Sequence, residues 1–236
     1  MQIQAKSVNA GQGAGWFKCG WELFKQDYGT WLIIFLVFIG LSIVLSFIPV
    51  IGSAALMIIS PALLAGFMYA ASEMDNGNSI NVGYLFQGLK DKEHRNKLLI
   101  LGAMYLVAQI LVMAIMVLLF GSNALMMEGE SAQLDPETVM TSGMAFSVLL
   151  IFLIGAMIML GFVYAAPLVM LDNMSPVESI KASYTAGFKN VLSLLVFGII
   201  YLLLAIVAVI PFGLGFLVLI PVSILALYCS YKSIFH

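Results

Sequence analysis

Residues 30–72 decide the fold of this chain: TWLIIFLVFIGLSIVLSFIPVIGSAALMIISPALLAGFMYAAS, a stretch with no Asp, Glu, Lys, Arg or His. Two apolar runs, 30–48 and 53–72, flank a turn that contains Pro49 and Gly52. Each run is close to the ~20 residues that cross ~30 Å of hydrocarbon as a helix. Because backbone hydrogen bonds in hydrocarbon must be closed, the stretch predicts two membrane-spanning helices joined by a tight hairpin.

Four further uncharged runs of similar length occur later in the chain, at 98–120, 144–171, 191–210 and 214–231. Hydrophobic residues make up 62% of the 236 and charged residues 9%, with a mean hydropathy of +1.07. Soluble domains carry about 25% charged residues, so water cannot be the solvent for most of this chain. The sequence predicts an all-α, polytopic membrane protein with a single transmembrane domain of six spans over residues 1–236.

The basic residues predict the orientation of these spans. In a six-span arrangement all of them fall on one side. The opposite side has no basic residue, and its one long loop, 121–143, is acidic. The positive-inside rule then places both termini and the leader 1–29 in the cytosol of a bacterial inner membrane, and the acidic loop in the periplasm. No apolar region of a cleavable signal peptide precedes the first span. The ten basic residues are Lys6, Lys18, Lys25, Lys90, Lys92, Arg95, Lys97, Lys181, Lys189 and Lys232.

Two further expectations concern the cytosolic side. The Gly-rich residues 1–15 lack the preceding strand of a phosphate-binding loop and are predicted to form a flexible leader. Cys19 and Cys229 both map to the cytosolic side, where thiols are kept reduced, so no disulfide is expected.

An aromatic stripe precedes the first span. Helical spacing places it opposite Lys18, Glu22 and Lys25, which predicts a helix in the headgroup region with its rings and lysines at the lipid interface. Packing of the same stripe against other spans has the same geometry and stays open. The aromatic residues are Trp16, Phe17, Trp21, Phe24, Tyr28 and Trp31.

A second interfacial helix is predicted after Ser175. Ser175 and Glu178 have the spacing of a capping box, with Pro176 at the first helical position. Val177, Ile180, Tyr184 and Phe188 then lie on one face, and Lys181 and Lys189 on the other, so Tyr184, Phe188 and both lysines are candidate lipid contacts. A shorter helix capped by Ser79 is predicted at the corresponding place in the middle of the chain.

The order of amphipathic helix, outgoing span and returning span therefore occurs three times. Each returning span contains a proline, at 61, 167 or 221, and the outgoing spans contain none. Prolines within spans free carbonyl groups and mark helix breaks beside which a cavity can form. The candidate break and turn residues are Pro49, Gly52, Pro61, Pro167, Pro211 and Pro221.

Two stretches resemble known families. AGQGAGWFKCGWELF, with the later IPVIGSAALMIISPALLAGFMYA, resembles a family of six-span bacterial inner-membrane proteins of unknown function. PLVMLDNMSPVESIKASYTAGFKN is similar to a motif in other six-span proteins, including the membrane domain that precedes some glycerophosphodiester phosphodiesterases. The resemblance implies the fold and the bacterial inner membrane, and it implies no activity because the catalytic domain of those enzymes is missing from these residues.

Several function classes are disfavoured. No nucleophile has a nearby base, no metal-ligand spacing occurs, and the spans keep no ionisable group, so an enzyme, a cofactor and ion-coupled transport are not expected. The only metal candidates are weak: Glu128, Glu130, Asp135 and Glu137.

Two functions remain. The first is a non-enzymatic protein that organises lipids or partner proteins and supports the permeability barrier of the envelope. The alternative is a small carrier or pore for neutral, amphiphilic or lipid-like molecules. Membrane lipids are the expected partners, with self-association or other membrane proteins left open and no nucleic acid.

Overall fold

The computed structural model describes residues 4–127 and 142–236, and side chains within 4–119 and 145–236. All regular secondary structure in these residues is helical, and they contain no strand. A 3-10 turn, Val82–Phe86, precedes the fourth helix. The helices are α1 Gln12–Gln26, α2 Tyr28–Ser46, α3 Ile51–Asp75, α4 Gln87–Lys90, α5 Lys92–Met127, α6 Ser142–Phe162, α7 Ala165–Asp172, α8 Pro176–Lys189, α9 Val191–Val209 and α10 Phe216–Phe235.

Six helical segments are long and apolar enough to cross a membrane, which confirms the all-α, six-span prediction. The fourth of them is built from α6 and α7 together. Because consecutive spans run in opposite directions, all ten Lys and Arg residues fall on one side of these six segments, here called the basic end, and the assignment of this end to the cytosol stays a prediction. The segments are Tyr28–Ser46, Ile51–Asp75, Lys92–Leu119, Ala145–Asp172, Val191–Val209 and Phe216–Phe235.

Two returning spans, α3 and α10, form the core together with the short α7. Leu63 and Met68 of α3, Leu168 of α7 and Leu225 of α10 are all at most 1% exposed. The outgoing spans and α6 are mostly exposed, and α9, for example, exposes Leu202 by 61%. Small residues explain the difference, because they allow helices to approach closely in hydrocarbon, where apolar burial alone gives little driving force. The buried small residues of the core include Ala62, Ala65, Ala70, Ala71, Ala165, Ala166 and Ala226.

The α2–α3 hairpin depends on its glycine. A Cβ atom on Gly52 would lie 1.8 Å from the carbonyl oxygen of Leu45, so no other residue fits where the two helices meet. Val50 adopts a φ of 62°, a conformation that costs energy for a β-branched residue. The turn predicted from Pro49 and Gly52 is therefore present.

The prolines within the spans act in three different ways. In α3, Pro61 cannot donate to the Met57 carbonyl, and the Ser60 hydroxyl donates to that oxygen instead at 3.0 Å. In the fourth span Pro167 cannot donate to the carbonyl of Val163, and the helix is interrupted between α6 and α7. Pro221 is buried within α10, which continues through it.

Two local predictions are corrected. The aromatic stripe before the first span is not one helix, because α1 ends at Gln26 and the Asp27 carboxylate accepts a hydrogen bond from the Thr30 amide to start α2. In the middle unit Asn81 is the capping residue rather than Ser79, since its side chain accepts from the Gly83 amide at 2.9 Å. This residue leads into a 3-10 turn and the short α4 instead of one amphipathic helix.

Candidate lipid interface at the basic end

Helix α1 lies across α9 and α10 and packs closely against both. A Cβ atom on Gly13 would lie 2.4 Å from the Ser193 carbonyl oxygen, and one on Gly20 would lie 2.5 Å from the Ala226 amide nitrogen. These two glycines let the helix backbones meet. The aromatic residues of α1 fill the space beside them, with Phe17 stacked on Phe197 at a centroid distance of 4.6 Å.

A disulfide joins Cys19 of α1 to Cys229 of α10, which corrects the expectation of free thiols. The two residues are separated by 210 positions in the sequence, and their Cα atoms lie 6.2 Å apart. The contact at Gly20, beside Cys19, brings the two backbones within the range that a disulfide requires. Cys229 is buried, and Cys19 lies on the exposed side of α1.

The predicted interface residues of the first unit therefore divide into two groups. Trp16, Phe17, Phe24 and Trp31 are at most 7% exposed, so they pack on protein rather than on lipid. The Trp16 indole donates to the Ser233 hydroxyl at 2.9 Å, and the Trp31 indole lies 3.3 Å from the Met74 sulfur. The residues that remain accessible are Trp21 and Tyr28, exposed by 43% and 65%, and the exposed lysines Lys18 and Lys25.

Residues 4–11 are held against the bundle, which corrects the prediction of a flexible leader for this part of the chain. Asn190 accepts from the Val8 amide at 2.8 Å and donates to the Lys6 carbonyl at 2.9 Å. The Lys6 amide donates to the Ile234 carbonyl at 2.8 Å. One buried amide side chain at the end of α8 thus fixes the segment that leads into α1.

Helix α8 begins with the predicted capping box. The Ser175 hydroxyl accepts from the Glu178 amide, and the Glu178 carboxylate accepts from the Ser175 amide. The Ser175 hydroxyl also donates to this carboxylate at 2.6 Å, and this bond lowers the pKa of Glu178. The cap therefore fixes where α8 starts.

A serine of α8 also repairs the break in the fourth span, a role that the sequence pattern did not reveal. The Ser183 hydroxyl accepts from the Tyr164 amide at 3.1 Å and donates to the Leu160 carbonyl at 2.7 Å. It therefore bridges the two backbone groups on either side of the interruption. Its spacing from Ser179 places it on the buried side of α8. The residues around Ser183 contain no signal that identifies Leu160 and Tyr164 as its partners.

Helix α8 has three faces. Small residues, including Ser179, Ser183 and Gly187, are buried against the bundle. On one flank Val177 and Phe188 are exposed by 51% and 57%. The other flank is polar and exposed. The remaining predicted contacts divide accordingly: Tyr184 is half-buried on the apolar flank, and Lys181 and Lys189 are exposed on the polar one.

A polar cluster joins the basic ends of the three returning spans. Asp75 of α3 accepts from the Tyr228 hydroxyl at 2.9 Å and pairs with Lys232. Asp172 of α7 accepts from the Tyr231 hydroxyl and lies 3.2 Å from the His236 ring. A cleft of about 230 Å³ lies between these groups. The Asp75–Lys232 ion pair and the hydrogen bonds to the two carboxylates tie the span ends together.

Outside the spans, a hydrogen bond to the His94 ring at 2.7 Å lowers the pKa of Asp91. Asp91 directly precedes α5, and its carboxylate also accepts from the Glu93 amide at 2.9 Å. The carboxylate therefore caps this helix at the level where its basic residues begin.

Two apolar spaces lie between the helices. One, of about 270 Å³, is bordered by Pro61, with Ser60 and Tyr105 as its polar residues. The other is a groove of about 420 Å³ between α9 and α10, with Trp21 of α1 at its edge. Pro211 borders this groove, at the turn after α9.

Within residues 4–127 and 142–236 no group of three or more His, Cys, Asp or Glu side chains could hold a metal ion. The weak metal candidates Glu128, Glu130, Asp135 and Glu137 lie outside the described residues.

Comparison with known proteins gives a relative over the whole chain. The sequence is 26% identical over 253 aligned residues to the "Probable inner membrane protein BTH_II0599" of Burkholderia thailandensis, and the match covers 99% of this chain and 93% of the relative. No protein-family model and no solved structure matches significantly. No link to glycerophosphodiester phosphodiesterases is found. With its six apolar helices, the chain is a multi-pass membrane protein similar to a probable inner-membrane protein.

Proposed function

We propose that this chain is a non-enzymatic protein of the bacterial inner membrane that organises lipids at its basic end and so supports the permeability barrier. The observation that carries the proposal is the division of α8 into a buried face of small residues, an exposed apolar flank and an exposed polar flank. Exposed apolar side chains beside exposed lysines are what an interfacial helix presents to acyl chains and anionic headgroups. In the proposed orientation, with both termini cytosolic, this helix lies on the cytosolic leaflet.

The lipid part of the proposal is tested by extracting the protein in polymer nanodiscs and measuring the lipids that accompany it. We expect anionic phospholipids to be enriched over the bulk membrane, because ~1 kcal/mol of attraction is typical for each basic residue near an anionic surface. Replacing Lys181 and Lys189 by Gln should reduce the enrichment, whereas Thr185→Gln on the same face should not. A bulk lipid composition around the wild-type protein would contradict the proposal. The same extracts show whether further copies or other membrane proteins accompany the chain.

The barrier part is tested by deleting the gene. We expect increased sensitivity to detergents and lipophilic antibiotics, restored by the wild-type gene and less well by the double lysine variant. An unchanged profile in the deletion strain would overturn this role. A reporter at the C-terminus and a label near residue 130 test the orientation, and we expect cytosolic and periplasmic locations respectively.

A second candidate function, a carrier for neutral amphiphilic molecules, draws on the cavity at Pro61. Tyr105 lines this cavity, and its hydroxyl has no hydrogen-bond partner among the described residues, so it could bind a polar group on such a molecule. Liposomes that contain the pure protein would show flux that falls when Ala166 at the cavity wall is replaced by Phe. Absence of flux for every amphiphile tried would remove this candidate.

A further inference from the structure

The groove between α9 and α10 is open along its side and is lined by apolar residues. Its walls come mostly from two helices that are long and apolar enough to span a membrane, so in a membrane the groove would face hydrocarbon. Its lining includes Leu204, Val207, Val218, Leu219 and Val222.

Trp21 joins this groove to a basic surface. Lys18, Trp21 and Lys25 recur at three and four positions along α1, so they share the face that points away from the bundle. Lys25 pairs with Glu22 at 2.9 Å, whereas Lys18 has no ion-pair or hydrogen-bond partner among the described residues. A cation without a partner therefore lies one helical turn from the aromatic side chain that borders the groove.

The basic surface at Lys18 and the apolar groove are arranged like the headgroup and the acyl chain of a phospholipid. Helix α1 crosses α10 toward the basic end, where Trp16 meets Ser233, and the groove runs from Trp21 to the turn at Pro211 near the opposite end. A lipid whose phosphate meets Lys18 would have its acyl chain directed past Trp21 into the groove, which lies in the half of α9 and α10 away from the basic end.

We propose that Lys18, Trp21 and the α9–α10 groove form a binding site for one anionic phospholipid of the leaflet at the basic end. The site rests on the proposed lipid-organising function and specifies one place where it operates. The disulfide of Cys19 and Cys229 fixes α1 over α10 and so holds the headgroup end of the site against its acyl-chain end.

The site can be tested with phospholipids that carry bromine on their acyl chains, because bromine quenches nearby tryptophan fluorescence. Trp16 and Trp31 are 2% and 0% exposed, so Trp21 supplies the accessible signal, and Trp21→Phe gives the background. The probes are brominated phosphatidylglycerol and brominated phosphatidylcholine, each mixed into otherwise identical bilayers that contain the full-length protein. We expect phosphatidylglycerol to quench at a lower mole fraction.

Lys18→Gln should remove most of this preference, a change of up to about fivefold in the relative quenching constant, equivalent to the ~1 kcal/mol typical of one basic residue at an anionic surface. Lys92→Gln removes the same charge from an exposed lysine of α5, outside the site, and should leave the preference unchanged. Val207→Phe, which fills the groove, should weaken quenching by both lipids, whereas Val209→Phe, outside the groove lining, should not.

Equal quenching by the two lipids in the wild-type protein would overturn the site, as would equal effects of Lys18→Gln and Lys92→Gln. The lipid enrichment measured in nanodiscs reports on the whole basic end. Enrichment without selective quenching of Trp21 would therefore reject this site and keep the proposed function, and the loss of both would reject both.

Discussion

Helices α1 and α8 both lie at the basic end with an apolar stripe on one side and lysines on the other, yet their stripes face different surroundings. In α1 the aromatic residues Trp16, Phe17 and Phe24 are buried against protein. In α8 the buried side carries serines, alanine and glycine, and Phe188 is exposed. A helical apolar stripe in a membrane protein therefore indicates only a surface shielded from water. Protein and lipid provide that shielding equally well.

Glycine placement explains the difference. Gly13 and Gly20 lie within the aromatic stripe of α1, so its rings and the neighbouring backbones can pack together. In α8 the small residues lie beside the apolar stripe rather than within it, so the close contact forms there and turns the larger residues outward.

The largest expected effect comes from truncating matched aromatic residues of the two helices. Trp16→Ala should lower the free energy of unfolding in detergent micelles by ~3–5 kcal/mol, because it leaves a cavity and removes the bond to Ser233. Phe188→Ala should change it by less than about 0.5 kcal/mol, since this side chain is exposed. Similar losses for the two variants would remove the distinction between the helices.

The next effect concerns the close approach of α1 to α10. Gly20→Leu should cost ~3 kcal/mol or more and reduce disulfide formation on non-reducing gels, because even a Cβ atom would overlap the Ala226 backbone. Gly40→Leu is the control, since a Cβ atom there has no neighbour within 4 Å. An intact disulfide and an unchanged melting temperature in Gly20→Leu would contradict the described contact.

A smaller effect is expected where the two helices are connected. Asn190 ends α8 and holds the segment that leads into α1, so Asn190→Ala should cost ~2 kcal/mol by leaving the Val8 amide without its acceptor. Hydrogen exchange of residues 4–11 should increase at the same time. Asn96→Ala, which removes an exposed amide of α5 that has no hydrogen-bond partner among the described residues, serves as the control.

The smallest effect is expected at the start of α8. Ser175→Ala should cost ~1 kcal/mol through loss of the cap. Because the folded state lowers the pKa of Glu178, the contribution of this group is present above the carboxylate's unfolded pKa of ~4.3 and is lost as the pH falls through its folded pKa. Melting temperatures should therefore fall in acid for the wild-type protein and less steeply for Ser175→Ala.

Local signals were predictable and long-range contacts were not. The capping box at Ser175 and Glu178 and the hairpin at Pro49 and Gly52 involve residues that are close in sequence, and both are present. The disulfide, the Ser183 bridge and the segment held by Asn190 each join residues that are distant along the chain. The rule that cytosolic thiols stay reduced gave a wrong prediction for the cysteines, and the rule that Gly-rich segments are flexible gave a wrong one for residues 4–11. Both rules describe average surroundings.

The residue pattern alone specifies six uncharged membrane-spanning helices with the cations at one end. The reason is the high free-energy cost of placing charges and unpaired backbone groups in hydrocarbon. Which apolar faces are buried against protein and which stay exposed emerges only in the folded bundle. Hydrocarbon and a protein interior accept the same side chains, so the choice depends on where small residues let two backbones approach, and that depends on both partners at once.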